Sequence, residues 1–171
     1  MRVIIRTIRH DDLCAADLTA IAALKAQFWQ YPVQSQIKWM EAHFAPSDTH
    51  LLLYQDDALI AYSGLSRVFC RVNGEEKVLT GLGNVCVHKD FQKLGYGKTI
   101  VDHATKTIID SGKAGILLCH AALVPFYAGC GWNRCDMMHT VVEGETYRHC
   151  VMTVNEPSHA AIAQLQIDRN F

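Results

Sequence analysis

The chain has 171 residues, of which 50% are hydrophobic and 19% charged, with 16 Lys and Arg against 17 Asp and Glu. This length fits one domain with an apolar core, and the composition excludes a disordered, collagen-like or coiled-coil protein. The net charge of -1 argues against a nucleic-acid partner, because a protein that holds a phosphate backbone needs a concentrated excess of Lys and Arg.

Cysteine and histidine usage indicates the compartment. The seven cysteines follow no regular spacing and mostly lie inside apolar runs, which favours buried thiols. There is no Cys-x-x-Cys pair and no metal spacing among the histidines, so we expect no metal site. Arg2 and Arg6 interrupt the first apolar segment too early for a signal peptide, and no apolar run reaches the roughly 20 residues of a membrane span. We therefore expect a cytoplasmic protein that does not bind membranes.

The N-terminal third alternates one strand with two helices. The β-branched residues at 2–9 predict a first strand. Asp11-Asp12 then offers an N-cap before an apolar period that predicts a helix over about 13–28. A second, shorter helix is expected at about 35–44, capped by Ser35.

The rest of the chain is dominated by strands. Asn73-Gly74 predicts a tight hairpin turn, because both residues tolerate a positive φ. The predicted strands lie at 51–54, 58–72, 77–87, 115–119, about 133–142 and 147–154. A helix with Ile100, Val101, Ala104 and Ile108 on one face is expected to end near Gly112, a short helix is expected at 124–129, and Pro157 opens a C-terminal helix. The order β-α-α-β-β-β-α-β-α-β-β predicts an α/β protein of α+β character, with one mixed sheet and helices on its faces, in a single domain over 1–171.

The segment after the strand that ends at Val87 is the most informative. The strand runs into a loop with Gly95 and Gly97, and the loop runs directly into an amphipathic helix. Glycines let the backbone approach a ligand, and the first N–H groups of a helix are unpaired and carry the positive end of its dipole, so the geometry suits a phosphate group. Three lysines are expected to add positive charge there: Lys89, Lys93 and Lys98.

The alternative is a tight connection whose glycines have only a structural purpose. The loop is not a Walker loop, because the Gly-x-x-x-x-Gly-Lys-Ser/Thr pattern is absent. A Rossmann fingerprint is also disfavoured, since the third glycine is missing and the loop does not follow the first strand.

Two motifs together resemble one family. Gln92-x-x-Gly95-x-Gly97, after a strand ending in Val85-x-Val87, resembles the acyl-CoA pyrophosphate loop of the GNAT family of N-acetyltransferases. Pro125-Phe126-Tyr127-Ala128-Gly129-Cys130-Gly131-Trp132 is similar to that family's second signature. The order of the predicted elements also matches the acyl-CoA N-acyltransferase fold over nearly the whole chain.

The resemblance implies acetyl-CoA as cosubstrate and no metal. Backbone groups of Val85, Cys86 and Val87 would pair with the pantetheine arm like an added strand. The pyrophosphate would be held by the amides of Gln92, Lys93, Leu94, Gly95, Tyr96, Gly97 and Lys98.

The resemblance also assigns catalytic roles. Tyr127 would lie beside the CoA sulfur and donate a hydrogen bond or a proton to the departing thiolate; the alternative is a helix residue with its hydroxyl at the surface. The nucleophile would be the acceptor's own amine, and Cys86 and Cys119 are expected to be packing residues. A backbone N–H near Val87 would stabilise the tetrahedral intermediate.

The general base is left open. Several family members carry a glutamate in the strand before the loop, whereas this chain has Thr80-Gly81-Leu82-Gly83-Asn84. Asn84 can orient a water but cannot act as a base. His120, at a strand end where the family often has asparagine, is able to take a proton. Its alternative is a partly exposed histidine without a role, and Leu123 is a further departure from the family pattern.

The function implied is transfer of the acetyl group of acetyl-CoA to a primary amine of a small molecule or peptide, by direct attack in a ternary complex. The family's acceptor region would receive aromatic residues from the Phe28-Trp29-Gln30-Tyr31-Pro32 junction, which is able to wall an apolar pocket. An aminoglycoside-like acceptor and a homodimer are left open. The alternatives are an acyl-CoA-binding sensor without catalysis and, third, a dinucleotide-binding protein.

Overall fold

The computed structural model describes residues 2–136, 139–156, 162–168 and 170–171. The helices are α1 (Ala15–Lys25), α2 (Val33–His43), α3 (Tyr96–Asp110) and α4 (Val124–Ala128). The strands are β1 (Val3–Arg9), β2 (Thr49–Gln55), β3 (Ala58–Val72), β4 (Glu75–Val87), β5 (Gly115–Cys119), β6 (Asn133–Cys135), β7 (His139–Val142), β8 (Glu145–Thr146), β9 (Cys150–Val154) and β10 (Gln164–Ile167). The fold is mixed α/β with a mostly antiparallel sheet, as the sequence predicts.

Two compact units share the long elements. The first comprises Met1–Ser66 and Asn84–Ala104, and the second comprises Arg67–Gly83 and Thr105–Phe171. Strands β3 and β4 and helix α3 each contribute to both. No described helix combines the length and the apolar character needed to cross a membrane.

In the first unit, β1, β2 and the start of β3 form an antiparallel ladder. The apolar faces of α1 and α2 contribute to the core of this unit, since burying them removes apolar area from water. The buried residues of this core are Ile21, Ala22, Leu24, Met40, Phe44, Leu52, Tyr62 and Cys86.

The start of α1 corrects the predicted cap. The Asp11-Asp12 pair lies in a short 3-10 turn, His10–Asp12, and Cys14 is the N-cap of α1. Asp17 completes a capping box by accepting the Cys14 N–H at 3.2 Å, and Arg6 binds both of its carboxylate oxygens at 2.7 and 2.9 Å. Hydrogen bonding to Arg6 lowers the pKa of Asp17. The start of α2 also differs, because the helix begins at Val33 and the predicted cap, Ser35, lies inside its first turn.

In the second unit the strand order is β6-β9-β5-β4-β3-β10-β7-β8. Strand β5 is parallel to β4 at Thr80 and Gly81, and antiparallel to β9 along its length. The predicted hairpin turn is confirmed, with φ values of 51° at Asn73 and 86° at Gly74. The Asn73 side chain also accepts the N–H groups of Ala163 and Gln164, which ties β10 to the hairpin.

The C-terminal third differs from the prediction. The expected strand at 133–142 is two strands, because β6 pairs with β9 whereas β7 pairs with β10 and β8. The expected strand at 147–154 is shorter, since β9 begins at Cys150. The expected C-terminal helix begins at Pro157, which lies outside the described residues, and Gln164–Ile167 form β10 instead of helix. Alternating apolar residues indicate a strand but do not show a change of partner.

Candidate functional site

Hydrogen bonds within the first unit fix the loop between β4 and α3. After Val87 the chain makes a 3-10 turn, Lys89–Phe91, in which His88 Nδ1 accepts the Asp90 N–H at 3.3 Å. The Lys89 N–H donates to Gln27 Oε1 at 3.1 Å, which ties the loop to the segment just after α1. Gln92 Nε2 donates to the Val87 carbonyl at 3.3 Å. Hydrogen bonds therefore connect this loop both to the end of β4 and to the segment after α1.

Gly95 forms the start of α3. Its φ is +90°, and a Cβ built on it would meet no atom within 4 Å, so glycine is required by the backbone and not by crowding. The Gly95 carbonyl accepts the N–H and the hydroxyl of Thr99 at 3.0 and 3.2 Å. The first-turn amides of Tyr96, Gly97 and Lys98 precede the first intrahelical donor and point out of the helix start. The predicted passage from strand through loop to helix is present.

One of the three lysines predicted to add charge at the loop, Lys98, has an acidic partner. Lys98 forms an ion pair with Asp102, one helical turn further along α3, at 2.6 Å. Asp102 therefore partly neutralises the positive charge that Lys98 contributes near the loop. Lys89 and Lys93 are exposed on the loop, and Lys93 takes a left-handed conformation with a φ of 61°.

Asn84 lies at an irregularity in β4. Its φ is 56°, an uncommon value for a residue inside a strand, and its side chain is partly exposed. Asn84 borders a cavity of about 310 Å³ in the first unit, which is otherwise lined by Lys25, Trp29, Tyr31, Ser35, Gln36 and Trp39. The prediction that the Phe28–Pro32 junction walls a pocket is thus confirmed for Trp29 and Tyr31.

Lys25 is a residue that the sequence analysis missed. It is only 2% exposed, and its Nζ lies 4.2 Å from the Trp39 ring centroid and 5.7 Å from that of Trp29. Burial lowers its pKa from 10.5 to about 8. Among the described residues, no carboxylate forms an ion pair with it. The available signal was its position, four residues after the buried Ile21 on the apolar face of the predicted helix.

The second unit holds Tyr127 in α4. Its side chain is 8% exposed, and burial raises the pKa of its phenol to about 12, so the phenol is protonated at neutral pH and able to donate a proton. The Phe126 ring lies edge-on at 5.0 Å, and the Trp132 N–H donates to the Tyr127 carbonyl at 3.1 Å. Trp132 is buried and donates its indole N–H to Thr105 at 2.8 Å. The second motif is therefore a packed structural unit around Tyr127.

His120 is exposed at the end of β5, where its ring contacts that of His149 edge-on at a centroid distance of 4.2 Å. The glycines of the preceding β4 segment have a steric reason, because a side chain at Gly81 or Gly83 would collide with Phe171. At Gly81 and Gly83, the packing against Phe171 therefore leaves no room for a carboxylate side chain.

The thiols behave as packing residues. Five of the seven cysteines are buried, and all seven are free. Burial raises the pKa of Cys86 to about 12 and that of Cys119 to about 11. Both thiols are therefore protonated at neutral pH, as expected of packing residues. No group of three or more His, Cys, Asp and Glu side chains suited to a metal ion occurs in the described part of the chain.

Comparisons with known proteins agree with these features. Crystal structures of Escherichia coli proteins share the fold: ElaA (18% identity, TM-score 0.66, 90% of this chain and 100% of that one) and the GNAT family N-acetyltransferase YhbS in complex with CoA (17%, 0.70, 97% and 89%). The ribosomal-protein-S18-alanine N-acetyltransferase of the same organism is also similar (18%, 0.61, 88% and 93%). Compared by sequence with curated proteins, the chain has no match.

The sequence model of the acetyltransferase (GNAT) domain matches residues 46–134, a little over half of the chain. The match includes β2 to α4 and therefore both motifs. The family and the fold support acyl transfer from an acyl-CoA. The chain belongs to the GNAT acetyltransferase family.

Proposed function

We propose that this protein transfers the acetyl group of acetyl-CoA to the primary amine of a small molecule or peptide, by direct attack in a ternary complex. The observation that carries the proposal is the open Gly95 turn, which presents the first amides of α3 at the surface. Such a helix start binds anionic phosphate groups. YhbS, which shares the fold, was crystallised with CoA.

The cosubstrate-binding residues are proposed from the same geometry. The amides from Gln92 to Lys98 would hold the pyrophosphate, with Lys89 and Lys93 adding positive charge. The backbone of Val85–Val87 would pair with the pantetheine arm. Consistent with that role, β5 pairs with β4 only at Thr80 and Gly81 in the part of the chain that the structure describes.

The chemistry follows from the groups available. The acceptor nitrogen would attack the thioester carbon, and a backbone N–H near Val87 would stabilise the oxyanion. The carbon–sulfur bond then breaks, and the thiolate would take the phenolic proton of Tyr127. The attacking amine would lose a proton to a water oriented by Asn84 or to His120, and Tyr127 would regain its proton from solvent.

Gly97→Val should lower the affinity for acetyl-CoA and CoA by at least about tenfold, because a branched side chain in the first turn of α3 would obstruct the phosphate approach. Gly97 is helical, so valine is compatible with its backbone and folding should be preserved. Isothermal titration measures the affinity, with NAD as the control ligand for the dinucleotide alternative. Wild-type affinity in the variant would remove the loop from the binding site.

His120→Asn tests the proposed base. If His120 takes the amine proton, the variant should lose the acidic limb of the pH–rate profile, which reports the essential base. Steady-state rates between pH 5 and 9 measure the limb, and His139→Asn, a change in the same unit outside the proposed site, is the control. Superimposable profiles for wild type and His120→Asn would leave the Asn84 water as the route.

An acyl-CoA sensor without catalysis is the second candidate. It is favoured by the absence of a carboxylate in Thr80–Asn84, where Gly81 and Gly83 are packed against Phe171. A sensor would bind acetyl-CoA but release no thiol in the presence of amines. A single domain over 1–171, a cytoplasmic location and a homodimer stay predictions.

A further inference from the structure

We propose that Lys25 selects the acceptor by binding a carboxylate carried on an apolar or aromatic body. This inference rests on the proposed function, because it names the substrate class for that same reaction. The ligand would occupy the cavity of the first unit that Lys25, Trp29, Tyr31, Gln36, Trp39 and Asn84 help to line.

The walls of the cavity are mostly apolar, and Lys25 contributes a positive charge to them. Trp29 and Tyr31 are exposed, at 37% and 64%, whereas Lys25 and Gln36 are almost fully buried. Gln36 donates its side-chain N–H to the Trp29 carbonyl at 3.2 Å and so holds this wall in place. A ligand that enters between the aromatic rings would reach Lys25 at the buried side.

Among the residues that the structure describes, none supplies an anionic partner to Lys25. The titratable groups that act on it are Cys86 on β4 and His50 on β2. The Cys86 thiol has a pKa of about 12 and burial lowers the pKa of His50 to about 3, so both are neutral near pH 7. Asp17, the acidic residue in the first turn of α1, is bound to Arg6.

A buried ammonium group without an anion is unfavourable unless a ligand supplies one. The Trp29 and Trp39 rings stabilise the cation only in part. A carboxylate that enters the cavity would gain a charge-assisted hydrogen bond in a water-poor setting. By the same reasoning, a polycation such as an aminoglycoside would be repelled from this cavity.

Size supports a small organic acid. The volume of about 310 Å³ lies at the lower end of the ~300–1,000 Å³ found for ligand sites. It suits a single ring with a short carboxylate arm, and Asn84 places the cavity beside the strand segment Val85–Val87 that would hold the pantetheine arm. An amino acid with an aromatic or large apolar side chain is the simplest acceptor of this class.

Direct binding of a carboxylate probe tests the inference without any turnover. 3-Phenylpropionate and 3-phenylpropionamide have the same apolar body, but only the first carries a negative charge, and Trp29 and Trp39 supply the fluorescence signal. We expect the carboxylate to bind at least about tenfold more tightly than the amide, as a charge-assisted hydrogen bond allows. Equal affinities, or no saturable response to the carboxylate at millimolar concentration, would overturn the inference.

Substitutions of Lys25 test whether this residue causes the preference for the carboxylate probe over the amide probe. Lys25→Met and Lys25→Gln should bind both probes with equal affinity, whereas Lys38→Met, an exposed lysine of α2, should keep the wild-type preference. A carboxylate preference that survives in both folded Lys25 variants would contradict the assignment. Because these titrations need no acetyl-CoA, they can succeed or fail independently of acyl transfer.

Thiol release then connects the cavity to the reaction. Phenylalanine and phenylalaninamide form the acceptor pair, and we expect Lys25→Met to raise KM for the acid at least about tenfold while leaving KM for the amide unchanged. An equal change of kcat or KM for both acceptors would overturn the selective role.

Discussion

The Tyr127→Phe variant is expected to turn over acetyl-CoA about 10- to 10⁴-fold more slowly than the wild type, with little change in CoA affinity. The substitution removes only the hydroxyl, so the buried ring and its 5.0 Å contact with Phe126 are preserved. Burial raises the pKa of the phenol to about 12, so the phenol carries its proton at neutral pH and is able to donate it, or a hydrogen bond from it, as the thiolate departs.

Tyr147→Phe is the matched control for this experiment. Tyr147 lies in the same unit, and burial raises its pKa to about 12 as well, but it is outside both motifs. Steady-state thiol release gives kcat, and titration with CoA gives the affinity. An unchanged kcat in Tyr127→Phe, or an equal fall in Tyr147→Phe, would remove Tyr127 from the mechanism.

Lys25→Met should make the protein more stable at pH 7, by about 1–2 kcal/mol. The fall in the Lys25 pKa from 10.5 to about 8 corresponds to roughly 3 kcal/mol of burial penalty on the charged form. The contacts with Trp29 and Trp39 return part of it, at about 1–2 kcal/mol. Methionine fills a similar volume without charge, so the variant avoids the penalty.

The predicted difference in stability between the wild type and Lys25→Met depends on pH. Below pH 8 Lys25 is protonated in both the folded and the unfolded chain, and the full penalty is present. Between about 8 and 10.5 the unfolded chain keeps a proton that the folded chain has lost, so wild-type stability rises with pH relative to the variant. Thermal unfolding at pH 7 and pH 10, with Lys38→Met as the control, measures the difference.

A gain of about 1 kcal/mol corresponds to roughly 2–4 °C in Tm for a chain of this size. If Lys25→Met is less stable than the wild type at pH 7, or if the difference in stability does not shrink by pH 10, then burial of the Lys25 charge does not destabilise the folded protein. If the variant is more stable and has lost its carboxylate preference, the lysine lowers stability in favour of binding.

Periodicity and turn residues predict much of this fold. The hairpin at Asn73-Gly74 and the loop at Gly95 follow from residues that tolerate a positive φ, and the structure contains both. The cap of α1 is less visible in the sequence, since Asp11-Asp12 is an equally good local candidate and only the distant Arg6 favours Asp17. The split of the 133–142 segment depends on which strands pair with it, which a local pattern does not contain.

The site was predictable to different degrees. The loop and Tyr127 come from local motifs, whereas the environment of Lys25 requires Trp39, which lies on another helix. The pairing of Lys98 with Asp102 was accessible, because a spacing of four residues in a helix brings opposite charges together. Sequence alone therefore predicts the loop that we propose to bind the cosubstrate, but not the group that we propose to select the acceptor.

The central claim is acyl transfer from acetyl-CoA to an amine, and its most direct test is simultaneous measurement of free thiol and product mass. The purified protein is incubated with acetyl-CoA and a panel of amines that includes aromatic amino acids, their amides and an aminoglycoside. We predict that thiol release and the acetylated amine appear in equal amounts. Saturable acetyl-CoA binding with no thiol release above the protein-free rate for any amine would contradict the account and support the sensor.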